Sequence, residues 1–191
     1  MTPRTNPFRA DCINTLPFIF EGEINCDASL EKLLEKLVKL NYRAAITGAH
    51  GRGKSTLLYQ LAIALKARGW STHILKLDSS NRNFEREVWR RLPAFNSHDF
   101  ILLDGAEQLA MWRWNRFLNL TKSAGGVLIT SHRNYLLPTL WECRSSPQLL
   151  HALIIYLDST HDENEAPTEA LFKKHRGNLR NALRELYDLQ M

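Results

Sequence analysis

Cysteine is scarce in this chain, with only Cys12, Cys26 and Cys143 among 191 residues. An odd number without a close pair excludes a disulfide framework and a zinc knot, which leaves buried or idle thiols. Long apolar runs are missing as well: nothing approaches the roughly 20 residues that a spanning helix requires. The N-terminal stretch MTPRTNPFRADC has no apolar core followed by small residues, so no secretory signal or anchor is visible and a cytoplasmic location is expected. Internal repeats and low-complexity tracts are absent too. No Ser-His-Asp set, cysteine nucleophile or histidine metal cluster stands at a recognisable spacing.

What is present suits one ordinary domain with a small appendage. The apolar fraction of 44% and charged fraction of 24% match soluble globular averages. A net charge of +5 allows nucleic acid without requiring it, and phosphate binding alone would reward such an excess.

Periodicity orders the elements. Leu30, Leu33, Leu34, Leu37 and Leu40 recur three and four apart, predicting an amphipathic helix from Ser29 to Leu40 capped by Asp27 or Ser29. The run Ala44 to Thr47 reads as a strand that enters Gly48, and a helical pattern follows from Lys54 to Ala67. Thr72 to Leu77 alternates as a second strand, and a helix is expected from about Asn83 to Leu92, ended by Pro93. Phe100 to Leu103 and Val127 to Thr130 are continuous apolar runs of the kind covered on both faces. The stretch from Trp112 to Arg116 falls on a helix between them. Strands alternating with helices predict an α/β fold, a three-layer parallel sheet with right-handed crossovers. After Pro138 the alternation fades, and helices are expected over Pro147 to Leu157, Pro167 to Lys174 and Asn178 to Leu189. The resulting division is an N-terminal extension over 1–27, a nucleotide-binding core over 28–145 and a helical lid over 146–191.

Gly48-Ala49-His50-Gly51-Arg52-Gly53-Lys54-Ser55 satisfies G-x-x-x-x-G-K-[ST] at every fixed position, between a predicted strand and helix. Glycines turn the backbone so that its N–H groups and the positive end of the next helix surround phosphates. Lys54 supplies a point charge for the terminal phosphates, and the Ser55 hydroxyl a ligand for magnesium. His50 and Arg52, at variable positions, either shape access to the nucleotide or are surface side chains. The segment resembles the Walker A motif of P-loop nucleoside triphosphatases, and that resemblance adds Thr56 as a contact to an inner phosphate.

Asp99 to Asp104 resembles a Walker B strand, in which Asp104 at the carboxyl edge fixes magnesium against Ser55. Related ATPases place Glu directly after this Asp, whereas this chain has Gly105. Glu107 resembles the spaced acid of the NACHT-like Asp-Gly-x-Asp/Glu arrangement and is the candidate base; the alternative is a solvated glutamate in a first helical turn. Val127 to Thr130, tipped by Ser131-His132-Arg133, is similar to an AAA+ sensor strand, from which Ser131 or His132 would reach the terminal phosphate or the attacking water. Gly177-Asn178-Leu179-Arg180 resembles the sensor-2 region, with Arg180 over the nucleotide; alternatively Asn178 only caps a helix.

The ensemble resembles compact AAA+ and STAND ATPases of the additional-strand class. The resemblance implies ATP with Mg2+ and a nucleotide-driven switch acting on a macromolecular partner, a protein or possibly DNA, and it makes an oligomer with a neighbour's Arg133 or Arg144 conceivable. Adenine is the default base because no guanine-specific loop is apparent. Two other functions stay open: a small-molecule or nucleotide kinase, with an acceptor pocket near Asp78 and lid arginines among Arg82, Arg86 and Arg133, and an ATP-binding docking module that does not hydrolyse. A strand inserted between the Walker A and Walker B strands would favour the ATPase over the kinase.

Two further features invite nucleic acid. Trp112 and Trp114 beside Arg113 and Arg116 suit base stacking, though helix packing explains them too. The basic cluster of Lys173, Lys174, His175, Arg176, Arg180 and Arg184 suits phosphate, though such runs are usually solvated faces.

Overall fold

The computed structural model describes residues 8, 16–19, 26–132, 136–157 and 168–189. Cys12, Arg133 and the polar stretch 158–166 lie outside the described residues, as do the side chains of Cys26 and Asp27.

The leucine-striped segment forms helix α1, Cys26–Lys39. Strand β1, Arg43–Thr47, leads through the glycine-rich loop into α2, Lys54–Ala67. Then come β2, Ser71–Lys76, the short helix α3, Arg86–Arg91, and β3, Asp99–Asp104. A single 3-10 turn, Ala106–Gln108, precedes α4, Met111–Leu120, which returns to β4, Gly126–Ser131. A fifth strand, β5, Thr139–Glu142, was not expected from the sequence. Three helices close the chain: α5, Pro147–Leu157, α6, Thr168–Lys174, and α7, Leu179–Leu189.

All strand pairings are parallel, and the order is β2-β3-β4-β1-β5. Strand β4 thus stands between the Walker A strand β1 and the Walker B strand β3, which is the arrangement that favours an ATPase. Alternating residues divide the core into two layers around the sheet. Ile46, Phe100, Leu102 and Leu128 face Leu37, Leu57 and Leu61 of α1 and α2. Ala45, Ile101, Leu103 and Ile129 face Leu92, Trp114 and Phe117 on the other side. Every side chain of β3 and β4 is buried, which is why these strands read as unbroken apolar runs.

The C-terminal helices have a separate cluster in which Leu150, Ile154, Ala182 and Leu183 pack together with Phe8 and Leu16 from the N-terminal segment. No helix among the described residues is long and apolar enough to cross a membrane.

Candidate nucleotide-binding site

Parallel order brings the carboxyl ends of β1, β3 and β4 to one edge, where the glycine-rich loop opens a cleft of about 370 Å3. Helix α2 begins behind that loop with Gly53 as its N-cap and no side chain bonded to its first amides. A helix N-terminus left in this state offers N–H donors and a positive dipole end to an anion.

Lys54 crosses the mouth of the loop. Its ammonium donates to the carbonyls of Gly48 and Ala49, each at 2.8 Å, and lies 3.3 Å from His132 Nδ1. Burial lowers the lysine pKa, opposed by the charges of Glu107 and Asp104. Ser55 Oγ donates to Asp104 Oδ1 at 3.0 Å, so the two predicted magnesium ligands already face each other. Thr130 Oγ1 donates to the same carboxylate oxygen at 2.5 Å and accepts from Gly105 N–H at 2.8 Å, locking β3 to β4 behind the acid. These hard oxygen donors fit magnesium, which keeps several waters and takes few protein ligands. Among the described residues no three His, Cys, Asp or Glu side chains cluster as a metal cage. An ion here would take its remaining ligands from water or from phosphate oxygens.

The glycine after Asp104 has a structural cause. Gly105 adopts φ +85°, and a Cβ there would stand 2.3 Å from the Leu77 carbonyl oxygen. A residue with a Cβ, glutamate included, would clash here, and Glu107 stands on the turn that follows. Glu107 lines the cleft with its side chain only 11% exposed; Oε1 lies 3.1 Å from His132 Nε2, and Oε2 is buried without a partner. His132 in turn lies 2.9 Å from the Gly48 carbonyl through Nδ1, and its ring lies against that of His50, tilted by 42° with centroids 3.7 Å apart. Of the two candidates on the sensor strand, His132 is on the cleft wall. Ser131 is fully buried and does not line the cleft, because successive strand residues alternate faces.

The C-terminal helices close the other side. Asn178 caps α7, its Oδ1 accepting from Asn181 N–H at 3.1 Å, and Leu179 N–H donates to the Gly51 carbonyl at 3.2 Å. A Cβ on Gly51, at φ +70°, would fall 1.9 Å from Asn178 Oδ1, so the absence of a side chain at this motif glycine permits the contact. Arg180 of α7 lines the cleft, as do His50, Arg52 and Thr56. Arg52 Nε is buried without a hydrogen-bond partner. Arg144, the other arginine proposed for a neighbour, pairs with Glu142 at 2.9 Å and is 73% exposed.

Sequence reasoning missed the apolar end of the cleft. Leu16 to Ile19 face Leu149, Leu153, Leu179 and Leu183 there. The apolar run Leu16-Pro17-Phe18-Ile19 ahead of α1 was the available signal. Thr130 was read only as strand, although its hydroxyl is the brace of Asp104. Asp78, near which a kinase acceptor was expected, lines the cleft. That carboxylate accepts from Ser80 and Asn81 N–H, each at 2.9 Å, and from the Ser80 hydroxyl, closing its own turn.

No protein-family model matches the chain, and no curated protein matches it in sequence. Solved structures do match it in shape. The RuvB Holliday junction branch migration motor of Thermotoga maritima superposes with a TM-score of 0.58 at 19% identity, over 86% of this chain and 60% of that one. Domain III of the Thermotoga maritima replication initiation protein DnaA gives 0.54 at 13% identity, over 86% and 82%. A DNA replication initiation factor gives 0.51 at 17% identity, over 88% and 65%. The chain spans only 60% of the RuvB chain it matches. Shape and strand order together define the class: a P-loop α/β fold with an additional strand between the Walker A and Walker B strands, the fold these solved structures share.

Proposed function

We propose that this chain is a Mg2+-dependent ATPase that works as a nucleotide-driven switch on a macromolecular partner, with residues 146–191 as its lid. The contact carrying this reading is Leu179 N–H to the Gly51 carbonyl, which ties the lid helix α7 directly to the phosphate loop. A ligand that rearranges the loop would act on this contact, so α7 is the element that such a switch would bias.

The parts divide the work. The amides of the loop over Gly48 to Gly53 and the start of α2 receive the β- and γ-phosphates, joined by the Lys54 ammonium and, from the inner side, by Thr56. Ser55 and Asp104 would hold magnesium, and an ion there would supply charge neutralisation for the transferred phosphoryl group. The apolar end built by Leu16 to Ile19 and the lid leucines suits an adenine ring. Glu107 Oε2, buried and unpartnered, takes the proton of the attacking water as its oxygen bonds to the γ-phosphorus and the bond to the β–γ bridging oxygen breaks. Arg180 reports the γ-phosphate to the lid.

The RuvB and DnaA likenesses support DNA as the partner class, because these proteins are a Holliday junction motor and a replication initiator. The test is phosphate release together with Mg-ATP calorimetry for the wild type, Lys54→Ala and Glu107→Gln. Saturable binding and turnover by the wild type, loss of both in Lys54→Ala, and binding without turnover in Glu107→Gln are expected. Binding without turnover by the wild type would replace the ATPase by a docking module, and absence of binding would overturn the reading.

A further inference from the structure

The face of the sheet opposite α1 and α2 carries arginines without acidic partners beside exposed aromatic surface. Trp114 of α4 is core, 3% exposed, and stacks on Phe117, whereas Trp112 of the same helix is 61% exposed. The Arg113 guanidinium lies 4.7 Å over the Trp112 ring. One turn on, Arg116 lies 5.0 Å over Trp89 of α3, which joins the two helices into one surface. Arg86 and Arg90, one turn apart on α3 and both exposed, flank Trp89. Among the described residues none of these four arginines forms an ion pair, with only Glu85 and Glu87 as exposed acids beside them on the chain.

The other basic cluster is different. Lys173 is paired with Glu169, and Lys174 and His175 are both paired with Glu185, at 2.7 to 2.8 Å. Arg176, Arg180 and Arg184 of that cluster have no ion pair among the described residues, but no exposed tryptophan stands beside them. Arg113 and Arg116 of α4 form no ion pair among the described residues, and a polyanion would supply the missing negative charge.

We infer that the α3–α4 face, with Trp112, Arg113 and Arg116 at its centre, binds single-stranded nucleic acid, its arginines on phosphates and the Trp112 indole under a base. A single strand fits better than a duplex because an exposed indole is useful only to a base whose face is free. Met111 and Trp112 are the only exposed large apolar side chains of α4, so the face has no broad apolar patch for a protein partner. The position also suits a switch: Glu107 lies four residues ahead of Met111, so the turn that carries the candidate base runs directly into the helix that would hold the strand. The inference names the partner of the proposed ATPase and rests on that reading for this coupling alone.

The test is fluorescence anisotropy of a labelled oligothymidylate against the full chain over a salt series, with calorimetry of the same preparations on Mg-ATP. Wild type should bind with affinity that falls as salt rises. Arg113→Gln with Arg116→Gln should lower the slope of log K against log salt by roughly 0.7 for each arginine lost. Trp112→Ala should weaken binding about tenfold with the slope unchanged, since it removes stacking and no charge. A blunt-ended duplex should bind more weakly than the single strand. Thermal unfolding of each variant checks that the fold persists, and Lys173→Gln with Lys174→Gln serves as a second basic-face variant that should bind as wild type does.

Failure of the wild type to bind the oligonucleotide at low salt while Mg-ATP still binds would overturn the surface and leave the nucleotide site standing. Failure of Mg-ATP with retained strand binding would do the reverse. Unchanged affinity in the folded α4 variants, or loss confined to the Lys173 and Lys174 variant, would also overturn the assignment.

Discussion

His132 Nε2 stands 3.1 Å from Glu107 Oε1 while Nδ1 of the same ring stands 2.9 Å from the Gly48 carbonyl. A neutral imidazole has one N–H and can donate to only one of these acceptors; the imidazolium could serve both. Burial lowers the His132 pKa first, and the Lys54 ammonium lowers it further, against the opposing pull of Glu107. The neutral ring therefore prevails at neutral pH, and its one N–H goes either to the candidate base or to the phosphate loop.

That depression has a sign in stability. The unfolded chain takes up the histidine proton near pH 6.5 and the folded chain only below it, so the contribution is intact above about 6.5 and is lost as pH falls through that window. Relative to His132→Asn, wild type should lose thermal stability between about pH 7 and pH 5.5. Parallel midpoints for the two proteins across that range would refute it.

Asp104 should make nucleotide affinity magnesium-dependent. Wild-type affinity for ATP is expected to fall when EDTA is added, whereas Asp104→Asn and Ser55→Ala should bind with little difference between the two conditions. Calorimetry with and without EDTA reads the outcome directly.

Thr130→Val removes the hydroxyl that donates to Asp104 and accepts from Gly105 N–H. Both partners are buried, so the unsatisfied groups should cost about 1–3 kcal/mol in denaturant unfolding. A Thr130→Ser variant should recover most of that loss, because it keeps the hydroxyl.

Gly105→Ala places a Cβ 2.3 Å from a backbone oxygen at a φ of +85°. Backbone atoms do not yield as a side-chain tip does, so destabilisation of more than about 1 kcal/mol is expected. An Ala variant as stable as wild type in urea would mean that Gly105 is not held as described.

Cys143 should resist alkylation in the native state. It is fully buried, and burial pushes its thiol up to about 12, so almost no thiolate exists at neutral pH. Iodoacetamide followed by mass mapping should label Cys143 only after denaturation.

Much of the core was legible because its signals are local. The α1 leucine stripe, the runs of β3 and β4, and the eight-residue phosphate motif each specify their element without reference to the rest of the chain. Strand β5 was not legible: it has four residues, a single buried leucine among them and one neighbour, β1, so no periodicity announces it. Trp112 and Trp114 share one helix and one composition, and only packing puts the first in solvent and the second in the core.

The amino-acid sequence by itself determined the phosphate loop, the acid that closes it and the α/β class, since these depend on backbone freedom, charge and alternation along a short stretch of chain. The tertiary structure decided the strand order, with β4 between β1 and β3, the place of His132 rather than Ser131 at the cleft, and the contact of α7 with Gly51. Those are relations between residues tens to more than a hundred positions apart, and they arise only when the sheet's pairing brings the strand ends to a common edge.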